Sequence, residues 1–203
     1  MICLLKPEYI KDVVNVHLES FSGFFLTFLG KRFLTLFYKG VIREPTGIGL
    51  VYLENLENLE NNKVIGFVVG MMNPSGFYSR LLRRDWFRFG IASIPAVLKK
   101  PKSVFRLLRA LTRPSTTPKD PTVAELSSIA VLPEYQSKGI GKNLVNAFIQ
   151  EVKKREGKFI YLTTDACNNE PVNYFYQKIG FKLKRSFETP EKRKMNEYWY
   201  EIC

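Results

Sequence analysis

Gln136-Ser137-Lys138-Gly139-Ile140-Gly141-Lys142 is the stretch on which the reading of this chain turns. Before it comes Val123-Ala124-Glu125-Leu126-Ser127-Ser128-Ile129-Ala130-Val131, which reads as a strand. After it Leu144, Val145, Phe148, Ile149 and Val152 recur at helical spacing. A strand therefore runs through Leu132-Pro133-Glu134-Tyr135 into a glycine loop, and the loop opens a helix. Glycines let successive backbone N–H groups converge on one point, and the helix N-terminus adds partial positive charge there. The guest that suits such a loop is a phosphate or pyrophosphate.

Two common phosphate loops are excluded by spelling. A P-loop needs GxxxxGK followed by Ser or Thr, and the chain has none. A dinucleotide fingerprint needs a third glycine, and Gly139-Ile140-Gly141 is followed by Lys142-Asn143-Leu144. What fits is Q-x-x-G-x-G behind a strand that ends in V-x-P-x-Y. This resembles the pyrophosphate loop of the GNAT superfamily of acyl-coenzyme A N-acyltransferases. Downstream, Asn169-Glu170-Pro171-Val172-Asn173-Tyr174-Phe175-Tyr176-Gln177-Lys178-Ile179-Gly180-Phe181 is similar to that family's second signature, N-x-x-A-x-x-F-Y-x-K-x-G-F, with Val172 where a small Ala is usual. The resemblance is clear from about Val123 to Phe181 and weaker elsewhere.

The resemblance implies an α/β fold on a mixed, mostly antiparallel sheet, with helices on both faces. The strands at 123–131 and 158–165 should run parallel and splay, and acetyl-coenzyme A should enter the gap. The remaining segments can be placed around that frame. Residues 1–6 read as a strand, and Pro7 starts a helix with Ile10, Val13, Val14 and Leu18 on one face. Ser20 to Gly30 is rich in Phe and Gly, and a second helix carries Phe33, Leu36, Phe37 and Val41. In the family this region walls the acceptor cleft; packing in the core is the plainer role for most of these rings. Gly49–Leu53 and Lys63–Met72 are strands, joined by a threefold Leu-Glu-Asn triplet read as an acidic hairpin loop. Near the end, the 169 motif reads as a helix with Val172, Phe175, Tyr176 and Ile179 inward. Phe181–Glu188 and Met195–Ile202 read as closing strands.

With 203 residues and 45% hydrophobic content, one domain spanning 1–203 is expected. No apolar run approaches the length of a membrane span, and the start lacks a secretory pattern. Cys3, Cys167 and Cys203 are odd in number and far apart, which points to a reducing, cytoplasmic setting. His17 is the one histidine, so no metal site is expected and the residue reads as packing or surface.

Residues of about 74–122 exceed the family's short connection and read as a basic helical insertion. Tyr78, Leu81, Leu82, Trp86 and Phe89 fall on one helical face, and Val104, Leu107, Leu108 and Leu111 on another. Between Gly76 and Lys119 stand eleven Lys or Arg and one acid, Asp85, so most of the chain's net charge of +12 is local. Three roles stay open: a solvated flap, recruitment of an anionic substrate, or peripheral contact with a membrane surface. No reader motif supports nucleic acid. A homodimer is also open.

Acetyl transfer from a thioester to an amine needs a base, a donor to the carbonyl oxygen, and a proton for the leaving thiolate. The resemblance assigns Glu125 as base, the alternative being a strand-edge carboxylate paired with an insertion arginine. It assigns Tyr176 as acid beside the sulfur, the alternative being core packing, with Phe175 the more buried of the two rings. Backbone groups of Ile129, Ala130 and Val131 and the side chain of Asn169 should hold the cofactor arm. Amides from Ser137 through Lys138, Gly139, Ile140 and Gly141 to Lys142 should hold the pyrophosphate, with Gln136 fixing the loop. The acceptor is expected to be a small anionic amine, an amino-sugar nucleotide first; a protein or peptide amine, or a non-catalytic acyl-coenzyme A sensor, are the alternatives. Transfer should be direct, since nothing in the sequence near Cys167 would activate its thiol.

Overall fold

The computed structural model describes residues 1–21, 25–54, 63–99, 118–190 and 192–203. The triplets from Asn55 to Asn61, the Gly23–Phe24 pair, and the second insertion face at 104–111 with its flanking Pro101 and Pro114 lie outside the described residues.

Among the described residues seven strands form one sheet: β1 Ile2–Leu4, β2 Gly47–Leu53, β3 Val64–Met72, β4 Val123–Val131, β5 Phe159–Asp165, β6 Lys182–Glu188 and β7 Lys194–Glu201. Their order is β1-β2-β3-β4-β5-β7-β6. β4 and β5 are parallel, and every other neighbouring pair is antiparallel. The mixed sheet is as expected. The placement of β7 between β5 and β6 is not visible from the order of hydrophobic runs.

Among the described residues there are six α-helices: α1 Ile10–Ser20, α2 Phe25–Arg43, α3 Phe77–Arg84, α4 Trp86–Lys99, α5 Ile140–Lys154 and α6 Glu170–Ile179. α2 is broken at Gly30, where φ is 84°. β3 is buried along its whole length, because helices cover both of its faces. Alternate side chains of a strand point to opposite faces. Phe67 meets the rings of Tyr38 and His17, whereas Gly66 and Gly70 lie over Leu144 and Phe148. So α1 and α2 cover one face, and α5 covers the other. The inward face of α5 is the one its spacing predicts: Leu144, Val145, Phe148, Ile149 and Val152 are all buried.

α5 ends through Glu156 at φ 61°, and Gly157 is small because a Cβ there would lie 2.4 Å from Val152 Cγ1. One local expectation is corrected: α6 is rotated from the predicted face. Asn173 and Tyr176 are buried, while Val172 is exposed. The cause is polar: Asn173 Nδ2 donates to the carbonyls of Asp165 and Asn169, and its Oδ1 accepts from Asn196 and Tyr198. A buried amide that uses its whole bonding capacity fixes the helix rotation.

His17 is a packing residue. Its Nδ1 lies 2.7 Å from the Tyr38 hydroxyl, and burial lowers its pKa to about 4.

Candidate active site

The site begins where the β4–β5 pairing ends. Val123, Ala124 and Glu125 pair with Phe159, Ile160 and Tyr161, and the parallel ladder stops there. Beyond Glu125, β4 keeps β3 on one side while β5 pairs onward with β7 only. The two parallel strands are therefore unpaired with each other from Leu126 and Leu162 onward, which leaves a gap between them.

Backbone direction in that gap follows from two bonds. Leu132 N–H donates to Ile65 O on β3 at 2.9 Å, so residue 132 faces β3. Neighbouring residues of a strand face opposite edges. Ile129 and Val131 therefore turn their N–H groups to the gap, and Ala130 between them turns its N–H to β3, opposite Phe67. The Val131 carbonyl is held on that open side by Ser20 Oγ at 3.2 Å and Gln136 Nε2 at 3.0 Å. Gln136 thus ties the loop to the strand, as the sequence suggests. The register slips between Val69 and Gly70, leaving Ser127 as an extra residue in β4. Such a bulge re-aims the side chains around it.

Past a short 3-10 turn at Pro133–Tyr135, the chain enters the glycine loop. Ser137 and Gly139 both take positive φ, 61° and 79°. An added Cβ on Gly139 would meet nothing within 4 Å, so its glycine answers to backbone angle and not to space. The first helical bond of α5 is from Asn143 N–H to Gly139 O at 3.0 Å. Ahead of it, the six N–H groups of Ser137 to Lys142 have no acceptor among the described residues. Six free amides at an exposed helix start form an anion cradle. The donor set therefore fits a pyrophosphate.

The second signature closes this region. A Cβ on Gly141 would lie 3.4 Å from Phe175 Cζ, so α6 packs beside the first turn of α5. Tyr176, not Phe175, is the more buried ring, contrary to expectation. It packs against Phe175, Phe181 and Tyr198, and its hydroxyl has no hydrogen bond among the described residues. Burial pushes its pKa well up. Asn169 stands at the start of α6. Its Nδ2 donates to Thr164 Oγ1 at 2.8 Å and to Asp165 O at 3.1 Å.

Glu125 lies in a central strand, and its partners are tyrosines. Tyr161 donates to Oε2 at 2.8 Å, and Tyr78 donates to Oε1 at 3.2 Å. The alternative of an edge carboxylate paired with an insertion arginine is therefore corrected: β4 has neighbours on both sides, and Arg80 and Arg84 pair with Glu44 instead. Burial raises the Glu125 pKa, and the hydroxyls of Tyr161, Tyr78 and Ser127 oppose that shift. Tyr78 also lies 3.1 Å from Ser127 Oγ at the bulge. Tyr161 stacks on Trp199, which donates to Glu197 at 2.7 Å.

Two of these contacts escaped the sequence reading. Tyr78 reads there as one apolar position of an insertion helix, and Tyr161 as a strand residue. The register Glu125↔Tyr161 was available from the parallel pairing. Nothing in the sequence aims Tyr78 at β4. Cys167 is exposed. Among the described residues, no group of three or more His, Cys, Asp or Glu is placed to hold a metal ion.

The model of the acetyltransferase (GNAT) family matches residues 12–181, and the chain belongs to that family. It is 37% identical over 67 residues to a tRNA(Met) cytidine acetyltransferase of Actinobacillus pleuropneumoniae, a match covering 32% of this chain and 11% of that protein. The chain's matches span only 11% and 27% of the length of the curated relatives. Among solved structures, Arabidopsis thaliana NAA60 in complex with acetyl-CoA aligns with a TM-score of 0.62 at 16% identity, covering 100% of this chain and 99% of that one. The ribosomal-protein-S18-alanine N-acetyltransferase of Escherichia coli aligns at 0.60 and 14% identity, covering 100% and 94%. These structural likenesses bear on the fold.

Proposed function

We propose that the chain moves an acetyl group from acetyl-coenzyme A to a primary amine by direct attack, as one domain with an insertion at about 74–122. The observation that carries the reading is the position of Glu125. It stands at the last β4–β5 pair, beside the bulge and at the foot of the gap. The thioester supplies an activated acetyl group; the chain supplies position and proton handling. The amides of Ser137 to Lys142 hold the pyrophosphate. The N–H groups of Ile129 and Val131 line the arm and reach the acyl oxygen. Glu125 takes a proton from the amine. Burial raises its pKa above the ordinary carboxylate value, which makes it a better proton acceptor than a solvated carboxylate. The Tyr176 hydroxyl, buried and without a hydrogen bond among the described residues, provides the hydrogen bond or proton for the departing sulfur.

For the acceptor we infer a small anionic amine, an amino-sugar nucleotide first, from the local excess of cations in the insertion. A peptide amine is the second reading, favoured by the ribosomal-protein acetyltransferase among the structural neighbours. Thiol release from acetyl-coenzyme A, followed over panels of anionic amines, neutral amines and peptides, separates the two. The anionic reading expects the highest kcat/KM with anionic amines, falling as salt rises. Faster turnover of peptides, without salt dependence, would overturn it. No acetyl-dependent thiol release with any panel would leave only the sensor.

A further inference from the structure

The insertion has two unlike sides. Inward, Phe89, Ala92, Ser93 and Ala96 of α4 are buried, with Phe89 5.0 Å from the Phe33 ring of α2. α3 packs as closely: a Cβ on Gly40 would lie 1.9 Å from Leu81 Cδ1, so any larger residue at 40 would push the Leu81 side chain aside. Outward, α4 presents Trp86 at 70% exposure, Phe87 at 62%, Ile91 at 46%, Ile94 at 50% and Leu98 at 79%. Phe87, Ile91, Ile94 and Leu98 recur every three or four residues, so they form one stripe about 17 Å long. A contiguous apolar row on a water-facing helix is costly unless something covers it.

The charges around the stripe say what covers it. From Phe77 to Leu98 every exposed charge is an arginine: Arg80, Arg83, Arg84 and Arg88. The acids that pair with three of them, Glu44 and Asp85, lie lower, at 12% and 17% side-chain exposure. The outermost layer is therefore cationic. Apart from the Trp86 indole and Arg88, the exposed side chains from Trp86 to Leu98 carry no hydrogen-bonding group. A shaped protein groove is usually read with directional polar contacts at its rim. A second copy would bring two sets of arginines together. A fluid apolar layer under anionic headgroups needs neither direction nor self-complementarity, and it takes tryptophan and arginine at its boundary.

We propose that the outward face of α4, with the arginines of α3, docks the protein on an anionic lipid bilayer. The helix lies in the interface and does not cross it; no helix among the described residues is long and apolar enough to span a membrane. This docking is independent of the acetyl-transfer chemistry.

The test is cosedimentation of the full chain with vesicles of phosphatidylcholine alone or mixed with phosphatidylglycerol, with Trp86 emission read in parallel. The mixed vesicles should bind at least tenfold more protein, with a blue shift that Trp86→Phe removes. A Phe87→Ser, Ile91→Ser, Leu98→Ser variant changes only exposed positions, so its melting temperature should hold while vesicle binding falls at least tenfold. Wild-type protein that stays in the supernatant with mixed vesicles would overturn the proposal. So would a triple variant that melts normally and binds as well as wild type. If the wild type instead forms a concentration-dependent dimer in ultracentrifugation, lost in the triple variant, and ignores vesicles, the face is a protein interface and the proposal fails.

Discussion

The glycine loop and the insertion sit at opposite limits of legibility. The loop is made of backbone: six amides without acceptors among the described residues, aimed by two left-handed residues and the start of α5. The insertion works through side chains: Tyr78 on Glu125, Leu81 against Gly40, and an uncovered row on α4. Backbone geometry of this kind requires glycine at fixed spacing, so it leaves a pattern in the sequence. A side chain that reaches across 47 positions to a strand leaves none. The difference teaches that a feature built from backbone amides can be spelled, while one built from distant side-chain contacts must be seen.

The largest expected effect tests the helix that links the two halves. Tyr176→Phe keeps the ring and its contacts with Phe181 and Tyr198 and removes only the hydroxyl. Turnover should fall by roughly 10²–10⁴, the usual range for one acid–base group. Acetyl-coenzyme A affinity should change little, which calorimetry can check. Wild-type turnover, with chemistry rate-limiting, would reduce Tyr176 to a packing residue.

Next in size is the loop itself. Gly141→Asp places a carboxylate on the first turn of α5, among the amides assigned to the pyrophosphate. The added Cβ meets Phe175 at 3.4 Å, so the fold should accommodate it. Affinity for acetyl-coenzyme A should drop by about a hundredfold or more, since the helix terminus would already be neutralised by the new charge. Unchanged affinity with a normal circular dichroism spectrum would remove the loop from the binding site.

Between these two regions lies the part of the fold that sequence periodicity half determines. The spacing on α5 is enough to identify its buried face, because Leu144, Val145, Phe148, Ile149 and Val152, the five positions it picks out, are all buried. On α6 the same reasoning fails. Its inward face is set by Asn173, whose bonds to Asp165, Asn169, Asn196 and Tyr198 come from three separate segments. A polar residue that anchors a helix is invisible to a hydrophobic pattern. Trp86 fails for the opposite reason. It shares the spacing of Tyr78, Leu81, Leu82 and Phe89, yet α3 ends before it and α4 restarts with a different phase. The ring is left in solvent. The β4–β5 splay, by contrast, was legible only through the family resemblance.

The smallest effect is also the sharpest test of whether the insertion belongs to the chemistry. Tyr78→Phe removes one hydroxyl from the insertion and leaves the glycine loop untouched. That hydroxyl donates to Glu125 Oε1 at 3.2 Å and meets Ser127 at 3.1 Å. A donor to a carboxylate stabilises the charged form, so it holds the pKa down against the burial that raises it. Loss of the donor should therefore move the Glu125 pKa further up. If Glu125 acts as a base, only its ionised form works, and the acid limb of kcat/KM shifts to higher pH. The rate deficit should be greatest below that limb and vanish on the alkaline plateau. Glu125→Gln should abolish the limb, because no carboxyl remains to titrate. A structural role for Tyr78 predicts something else: a uniform loss at every pH, with the limb in place. That result would return the insertion to the surface and confine the chemistry to β4, β5 and α6.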